Sequence, residues 1–504
     1  MLRTRLLLSC MFATGVATGG CHEIDFDPHR QSLEIEIFDD LFAVSVVGDD
    51  HAIVAGYWGS IYLTEDGGRN WSKARTDTLQ LIYDVSVAPD GRGWAVGQSG
   101  IVLRTEDGGR SWSPQQNPKS EDAYHLFGAH AIDGDRAWVV GAWGTRIYTG
   151  DGGLTWEDHS LTIDEAHPQF VWLDLFAQER VRKGEKVFED VGLNDVFCAR
   201  APSQRCWIAG EFGYIFQSED LGQTWAFATI AGGGEIEPAR FGLNEIELPE
   251  GYEESLDGFI QGILSQDHLK VSITPMASAA EVERFGDRSA CRADVSSCDP
   301  APLFEILEAR ATEVRTVVEA AGLLSDRIRM RGSPPWDYED FVAGDDDFLE
   351  RYFDERTAAY PSVVVKVEQT PYLYSVRFRD SDFGLISGLG GLMLRTEDGG
   401  RSWAYTETGR KQALFAVDIG SDRAVAIGEK GFVLSSVDAG HSWATPERGF
   451  PSIFTYMRDI GFSPDRTVGY IVGQTGMVLR SEDGGTTWSQ VLPPPDRRRG
   501  GGLI

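Results

Sequence analysis

TEDGGRNW at residues 64–71 returns as TEDGGRSW at 105–112 and again at 396–403. Looser copies occupy Thr149–Trp156, Ser218–Trp225, Ser436–Trp443 and Ser481–Trp488, giving seven in all. Every copy has Asp third, Gly fifth and Trp eighth; the acids are Asp66, Asp107, Asp151, Asp220, Asp398, Asp438 and Asp483. Ten residues before each acid stands a Gly, with another three residues later, as in Gly56/Gly59 and Gly473/Gly476. Around this frame the residues alternate with period two. In the second unit LIYDVSV, GWAVG, GIVLRT and a segment opening at Trp112 read as four strands separated by Gly-marked turns. Four short strands per unit, seven times over, describe a seven-bladed β-propeller.

In that frame the octapeptide falls on the turn between the third and fourth strands. Its Asp can accept hydrogen bonds from its own turn, and its Gly supplies the positive φ that the turn requires. Its Trp can cover apolar surface beside the neighbouring hairpin. These units resemble the Asp-box (BNR) repeats, S/T-x-D-x-G-x-x-W, of sialidases and sortilins, over residues 39–230 and 371–490. Taken with W-x-V-G-x-x-G and L-R-T-E-D-G-G-x-S/T-W, they are most similar to the photosystem II assembly and stability factor family. That resemblance implies a seven-bladed scaffold in which the boxes are structural and lie at the blade periphery. In its photosynthetic members it implies a chaperone that holds a nascent subunit through a basic patch. No basic patch is evident here.

Charge narrows the partners. Against 46 Lys and Arg the chain carries 78 Asp and Glu, a formal −32, which repels phosphate backbones and argues against nucleic acid. Catalysis has little support. The arginines a sialidase needs on its substrate carboxylate are here mostly repeat residues, such as Arg104, Arg395 and Arg480. No Gly-x-Ser-x-Gly elbow, phosphate loop or His-Glu-x-x-His is present, and no cofactor or metal is expected.

Successive box acids are 41, 44, 69, 178, 40 and 45 residues apart, so the third and fourth gaps hold insertions. Both follow a fourth strand, which roots them on the face of the second-to-third-strand turns, opposite the boxes. Tyr57, Trp58, Trp143 and Phe212 sit on those turns and are the candidate partner-binding face; packing beneath the insertions is the alternative. The shorter insertion, 157–192, includes FVWLDLFAQERVRKG, a candidate amphipathic helix. The longer, 231–370, mixes helical and strand patterns and reads as a separate α/β domain. Its expected helical stripe is Leu303, Leu307, Val314, Val317 and Ala321. ARATEVRTVVEAAGLLSDRIRMRG within it resembles the OmpA-like peptidoglycan-associated domain, through Arg310-Ala311, Val314, Gly322, Arg327-Ile328 and Gly332. That resemblance implies a peptide-stem clamp formed by Arg310 and an acid. Ser278 stands where the acid belongs, and Tyr360-Pro361 replaces a second expected Arg.

The first 21 residues, with Arg3, Arg5, the apolar Leu6–Val16 and a small-residue stretch ending at Cys21, read as an export signal. Gly19-Gly20-Cys21 resembles a bacterial lipoprotein processing site, with Thr18 where Leu is usual, which implies lipidation of Cys21. Four further cysteines form two close pairs, Cys198 with Cys206 and Cys291 with Cys298, and in an exported chain both pairs read as disulfides. The organisation expected is a leader (1–21), blades 1–4 (32–230), the insert (231–370), blades 5–7 (371–492) and a loose tail (493–504). The function expected is a non-enzymatic lipoprotein scaffold in the periplasm or on the outer membrane of a bacterium, holding a protein partner. Peptidoglycan anchoring through the insert and a glycan-binding or glycan-cleaving propeller are the alternatives.

Overall fold

A computed structural model describes residues 37–492, leaving out 38, 166, 168–169, 171–172, 174, 231–235, 265–268, 286–300, 331–356, 370 and 447–448. The leader with Cys21 and the tail 493–504 lie outside the described residues.

Seven antiparallel sheets stand around an axis. Their innermost strands are Leu41–Val46, Ile82–Val87, Leu126–Ala131, Leu193–Cys198, Leu373–Phe378, Leu414–Ile419 and Met457–Phe462. Each neighbours the next, and the seventh lies against the first, so the ring closes. The second strand of every blade, AIVAG or GWAVG for example, is buried along its whole length because both its faces are covered by adjoining blades. Trp94, Trp138 and Trp207 on these strands are at most 1 % exposed. Burying one such ring contributes about 4–6 kcal/mol of transfer free energy before conformational entropy is subtracted.

Two blades depart from the expected four strands. Blade 6 keeps three, with a lone bridge from Ser435 to Ala444. In other blades the N–H eight residues after the box acid bonds back to the third strand, as Gln115 does to Val102. In blade 6 that position is Pro446, which has no N–H to give. Blade 5 has five strands, because Thr229–Ile230, arriving from blade 4, runs parallel to its outermost strand Ser402–Tyr405.

Cys198 and Cys206 are directly opposite on the two inner strands of blade 4 and form a disulfide. The second bridge expected from the sequence, between Cys291 and Cys298, is not matched by a structural observation, because Cys291 and Cys298 both lie outside the described residues. The shorter insertion contains helix α1 (Leu175–Arg182), whose Val181 packs with Ile163, Phe170 and Val187 in a small core. The longer insertion has its own core. Its sheet runs Ala239–Arg240, Ser362–Gln369, Leu269–Ser278, Ile328–Met330, with helices α2 (Tyr252–Gln261), α3 (Ala279–Phe285) and α4 (Ala301–Ala320). On α4 the buried stripe is Leu303, Leu307, Arg310, Ala311, Val314 and Val318. It passes through Val318 in place of the expected Val317, which is only partly buried. Tyr405 joins this core to blade 5, so the insert leans on that blade's outer edge.

Candidate functional site

The boxes act between blades. In blade 2 Asp107 Oδ1 accepts from Thr105 Oγ1 and the Ser111 N–H, both 3.0 Å, while Oδ2 accepts from Ser111 Oγ at 2.6 Å. Trp112 Nε1 donates to the Gly109 carbonyl, and its ring is buried against blade 1. The Asp-centred pattern recurs in all seven copies, through Asp66, Asp151, Asp220, Asp398, Asp438 and Asp483. Burial pushes the Asp107 carboxyl up, but the hydrogen bonds from Ser111 and Thr105 outweigh it and hold the group below the ordinary range. Gly109 has φ +88°, and a Cβ there would lie 2.6 Å from Ile53 Cδ1 of blade 1. Each carboxylate is thus consumed by its own turn.

The opposite face is built differently. Between the second and third strands, three-residue turns hold their central residue in the left-handed region: Trp58 at φ 59°, Trp143 at 57° and Phe212 at 55°. Bulky side chains rarely adopt this conformation, and it costs about 1–2 kcal/mol each. Trp58 is nevertheless 67 % exposed, Trp143 41 %, and Tyr57 and Phe212 39 % each. They do not disappear beneath the insertions. Trp143 stacks on Tyr124, which meets Phe188 of the shorter insertion edge-on. Lys119, fully buried, ties that insertion down, its Nζ 3.2 Å from Asp158 and 3.7 Å above the Phe188 ring.

At the centre of the same face the second residue of each innermost strand turns toward the axis. Phe42, Tyr83, Phe127, Tyr374 and Phe415 form an aromatic mouth, completed by Asn194 and Arg458, around a recess of about 180 Å³. Tyr57 touches Phe42 at 5.4 Å between ring centroids, which joins the turn tips to this mouth. The Arg458 guanidinium sits 4.9–5.3 Å from the centroids of Phe415, Phe42 and Tyr456. Its Nε is buried without a hydrogen-bond acceptor. Desolvation makes the charge less favourable, and Asp40 with nearby tyrosines only partly compensates.

Below the mouth the axis is charged. Asp84, Asp195 and Asp459, third residues of their strands, each accept an N–H from the next blade's inner strand: Ala129 at 2.8 Å, Val376 at 2.9 Å and Val44 at 2.8 Å. The Asp459 bond closes the ring between blades 7 and 1. Burial pushes Asp84 well above the ordinary range and Asp459 up to about 6. Arg377 pairs with Asp195 at 2.5 Å; burial opposes its charge, and Asp195, Asp459, Asp418 and Asp84 outweigh that and hold it protonated. Burial drives His130 down to about 3, leaving it neutral. Backbone N–H groups and Arg377 satisfy these acids, and among the described residues no cluster of His, Cys, Asp and Glu is placed to hold a metal.

Arg310 and Ser278, the expected peptidoglycan contacts, come together inside the insert at 0 % and 4 % exposure. Arg310 Nη2 and Nη1 donate to Glu281 at 2.7 and 3.2 Å, and Nε and Nη2 reach the Glu245 and Gly242 carbonyls. The Ser278 N–H donates to Glu281 Oε2, and the Glu281 N–H to Ser278 Oγ. The acid missing at position 278 is therefore present three residues later and faces inward. The clamp is filled by the chain itself, and Arg310 is an internal tie here rather than a surface contact.

Among protein families, the model described as photosynthesis system II assembly factor YCF48 matches residues 73–169 and 354–447. No curated protein sequence matches the chain. Among solved structures it is similar to YCF48 bound to a D1 peptide, at 15 % identity and TM-score 0.45 over 89 % of this chain and 95 % of that one. YCF48 from Cyanidioschyzon merolae gives 12 % and 0.46 over 89 % and 97 %. A GH74 xyloglucanase from Xanthomonas campestris gives 12 % and 0.27 over 88 % of this chain and 53 % of that one.

Proposed function

We propose that the protein is a non-enzymatic scaffold of the bacterial cell envelope, exported, tethered through a lipidated Cys21, and holding a protein partner on the face of its second-to-third-strand turns. The observation that carries this reading is the set of exposed aromatic side chains kept in left-handed conformations at Trp58, Trp143 and Phe212. The left-handed turn itself belongs to the repeat, since Ser99, Gly390, Lys430 and Thr475 adopt it in the other blades. What sets these three apart is a large aromatic ring left exposed there, and rigid exposed aromatics are the side chains that dominate protein interfaces. The match to an assembly-factor family model supports the same class of role. The box carboxylates and the axial acids are occupied by their own hydrogen bonds, which leaves them without a catalytic task. The insert then serves as a wall beside blade 5 rather than as a cell-wall anchor.

The reading is tested by immobilising the full-length protein, its Trp58→Ala/Trp143→Ala variant and its Asp107→Ala variant, and passing envelope extract of the source cell over each. The wild type and the box variant should retain the same specific polypeptide, and the double aromatic variant should lose it. Equal retention by all three would remove this face from the function.

A further inference from the structure

The axial mouth sets one cation among aromatic rings. At the same strand position five blades place an aromatic ring, and blade 7 places Arg458. Among the described residues no acceptor and no ion-pair partner meets this guanidinium. Its neighbours are the faces of Phe42, Phe415 and Tyr456, and Asp40 is already engaged by the Thr475 N–H at 2.7 Å. Arg458 is partly buried, and its buried Nε without an acceptor carries a desolvation cost of which cation–π contact returns only part. The other arginine of the axis shows the usual solution, since Arg377 is paired with Asp195. Arg458 instead borders the recess, as a fork of donors over an apolar floor.

We propose that this recess is a receptor for one carboxylate side chain, a Glu or Asp presented by an otherwise apolar segment of the partner laid across the aromatic face. Guanidinium and carboxylate match as a planar bidentate pair, and the pair gains strength where water is excluded. The volume, about 180 Å³, is below the range of small-molecule sites and admits a single residue. The turn tips lie around the mouth, with Tyr57 in contact with Phe42, so a segment crossing the axis has aromatic surface on both sides of the residue that dips in. A chain terminus would use only one of those sides. The acidic layer beneath, Asp84, Asp195 and Asp459, is held by backbone N–H groups and by Arg377, which leaves Arg458 as the cation that meets a guest.

This inference rests on the assignment of the aromatic face as the partner interface, and the test separates the two. The probes are three peptides of sequence Gly-Ser-Leu-Phe-X-Phe-Leu-Ser-Gly: X as Glu with both ends blocked, X as Gln with both ends blocked, and X as Gln with a free C-terminus. Binding to the full-length protein is followed by fluorescence anisotropy at low salt. The blocked Glu peptide should bind about tenfold or more tightly than its blocked Gln twin, as expected for loss of a charge-assisted pair. In Arg458→Gln that preference should vanish, and in Arg458→Lys it should survive only weakly, because an ammonium cannot form the fork. The Glu/Gln comparison on unaltered protein stands even where a variant folds poorly. Equal binding of the two blocked peptides overturns the proposal. Tight binding of the free-terminus Gln peptide alone overturns it in favour of a chain terminus. If Trp58→Ala/Trp143→Ala abolishes partner retention while Arg458→Gln leaves retention and peptide preference untouched, the face stands and the axial receptor falls.

Discussion

Asp459 closes the ring, and its charge state should make that closure depend on pH. Both carboxylate oxygens accept backbone N–H groups, from Val44 across the blade 7–blade 1 seam and from Ile460, each at 2.8 Å. Burial pushes its pKa from 3.8 up to about 6 in spite of Arg377 and those two bonds. A pKa raised on folding contributes stability that is complete below about 4 and lost as pH rises through about 6. The difference of about two units amounts to about 3 kcal/mol at most. For a unit of this length unfolding entropy is about 1 kcal/mol per degree, so the shift in Tm is about 3 °C. Asp459→Asn removes the ionisation. It also turns an NH2 against one of the two N–H donors, a penalty of about 1–3 kcal/mol that does not vary with pH. The box acids titrate alike in both proteins and cancel in the difference. Thermal unfolding followed by circular dichroism at pH 4 and pH 8 should therefore show the variant gaining about 3 °C relative to wild type at the higher pH. A difference that stays flat between these values would refute the idea that the seam is dry enough to perturb its carboxylate.

Trp58→Gly relieves a left-handed Trp and should raise stability by about 1 kcal/mol in urea unfolding while weakening partner retention; a loss of stability would show that the ring packs for the fold. Cys198→Ser/Cys206→Ser opens an eight-residue loop and should cost about 2.5 kcal/mol by chain entropy, measured as a lower urea midpoint that reductant reproduces in the wild type. Asp107→Ala leaves the Ser111 N–H and the Thr105 hydroxyl without their acceptor and should cost about 1–3 kcal/mol, with partner binding unchanged.

The propeller was readable because its information is local and repeated. One Asp, three Gly and one Trp at fixed offsets specify the turns of each unit, and the same offsets placed the boxes and the insertions on opposite faces. Blade 6 lost its fourth strand to Pro446, a residue visible in the sequence whose consequence depends on knowing which N–H the ladder needs. The mouth was also written in the chain, as the second residue of LFAV, IYDV, LFGA, LNDV, LYSV, LFAV and MRDI, but only alignment of the innermost strands brings Arg458 to the axis. The seam acids Asp84, Asp195 and Asp459 were less accessible, since their partners belong to the next blade along. In the insert, local pattern misled. Matching Arg310 to a ligand clamp ignored Glu281, three residues beyond the expected acid, which a turn from strand to helix brings back onto the guanidinium.

The face assignment is tested most directly by site-specific photo-crosslinking in the source cell. A benzophenone side chain placed at Trp143 should give a discrete covalent adduct with a partner polypeptide, and one placed at Arg110, exposed on the box face, should give none. An adduct from Arg110 with nothing from Trp143 would contradict the account.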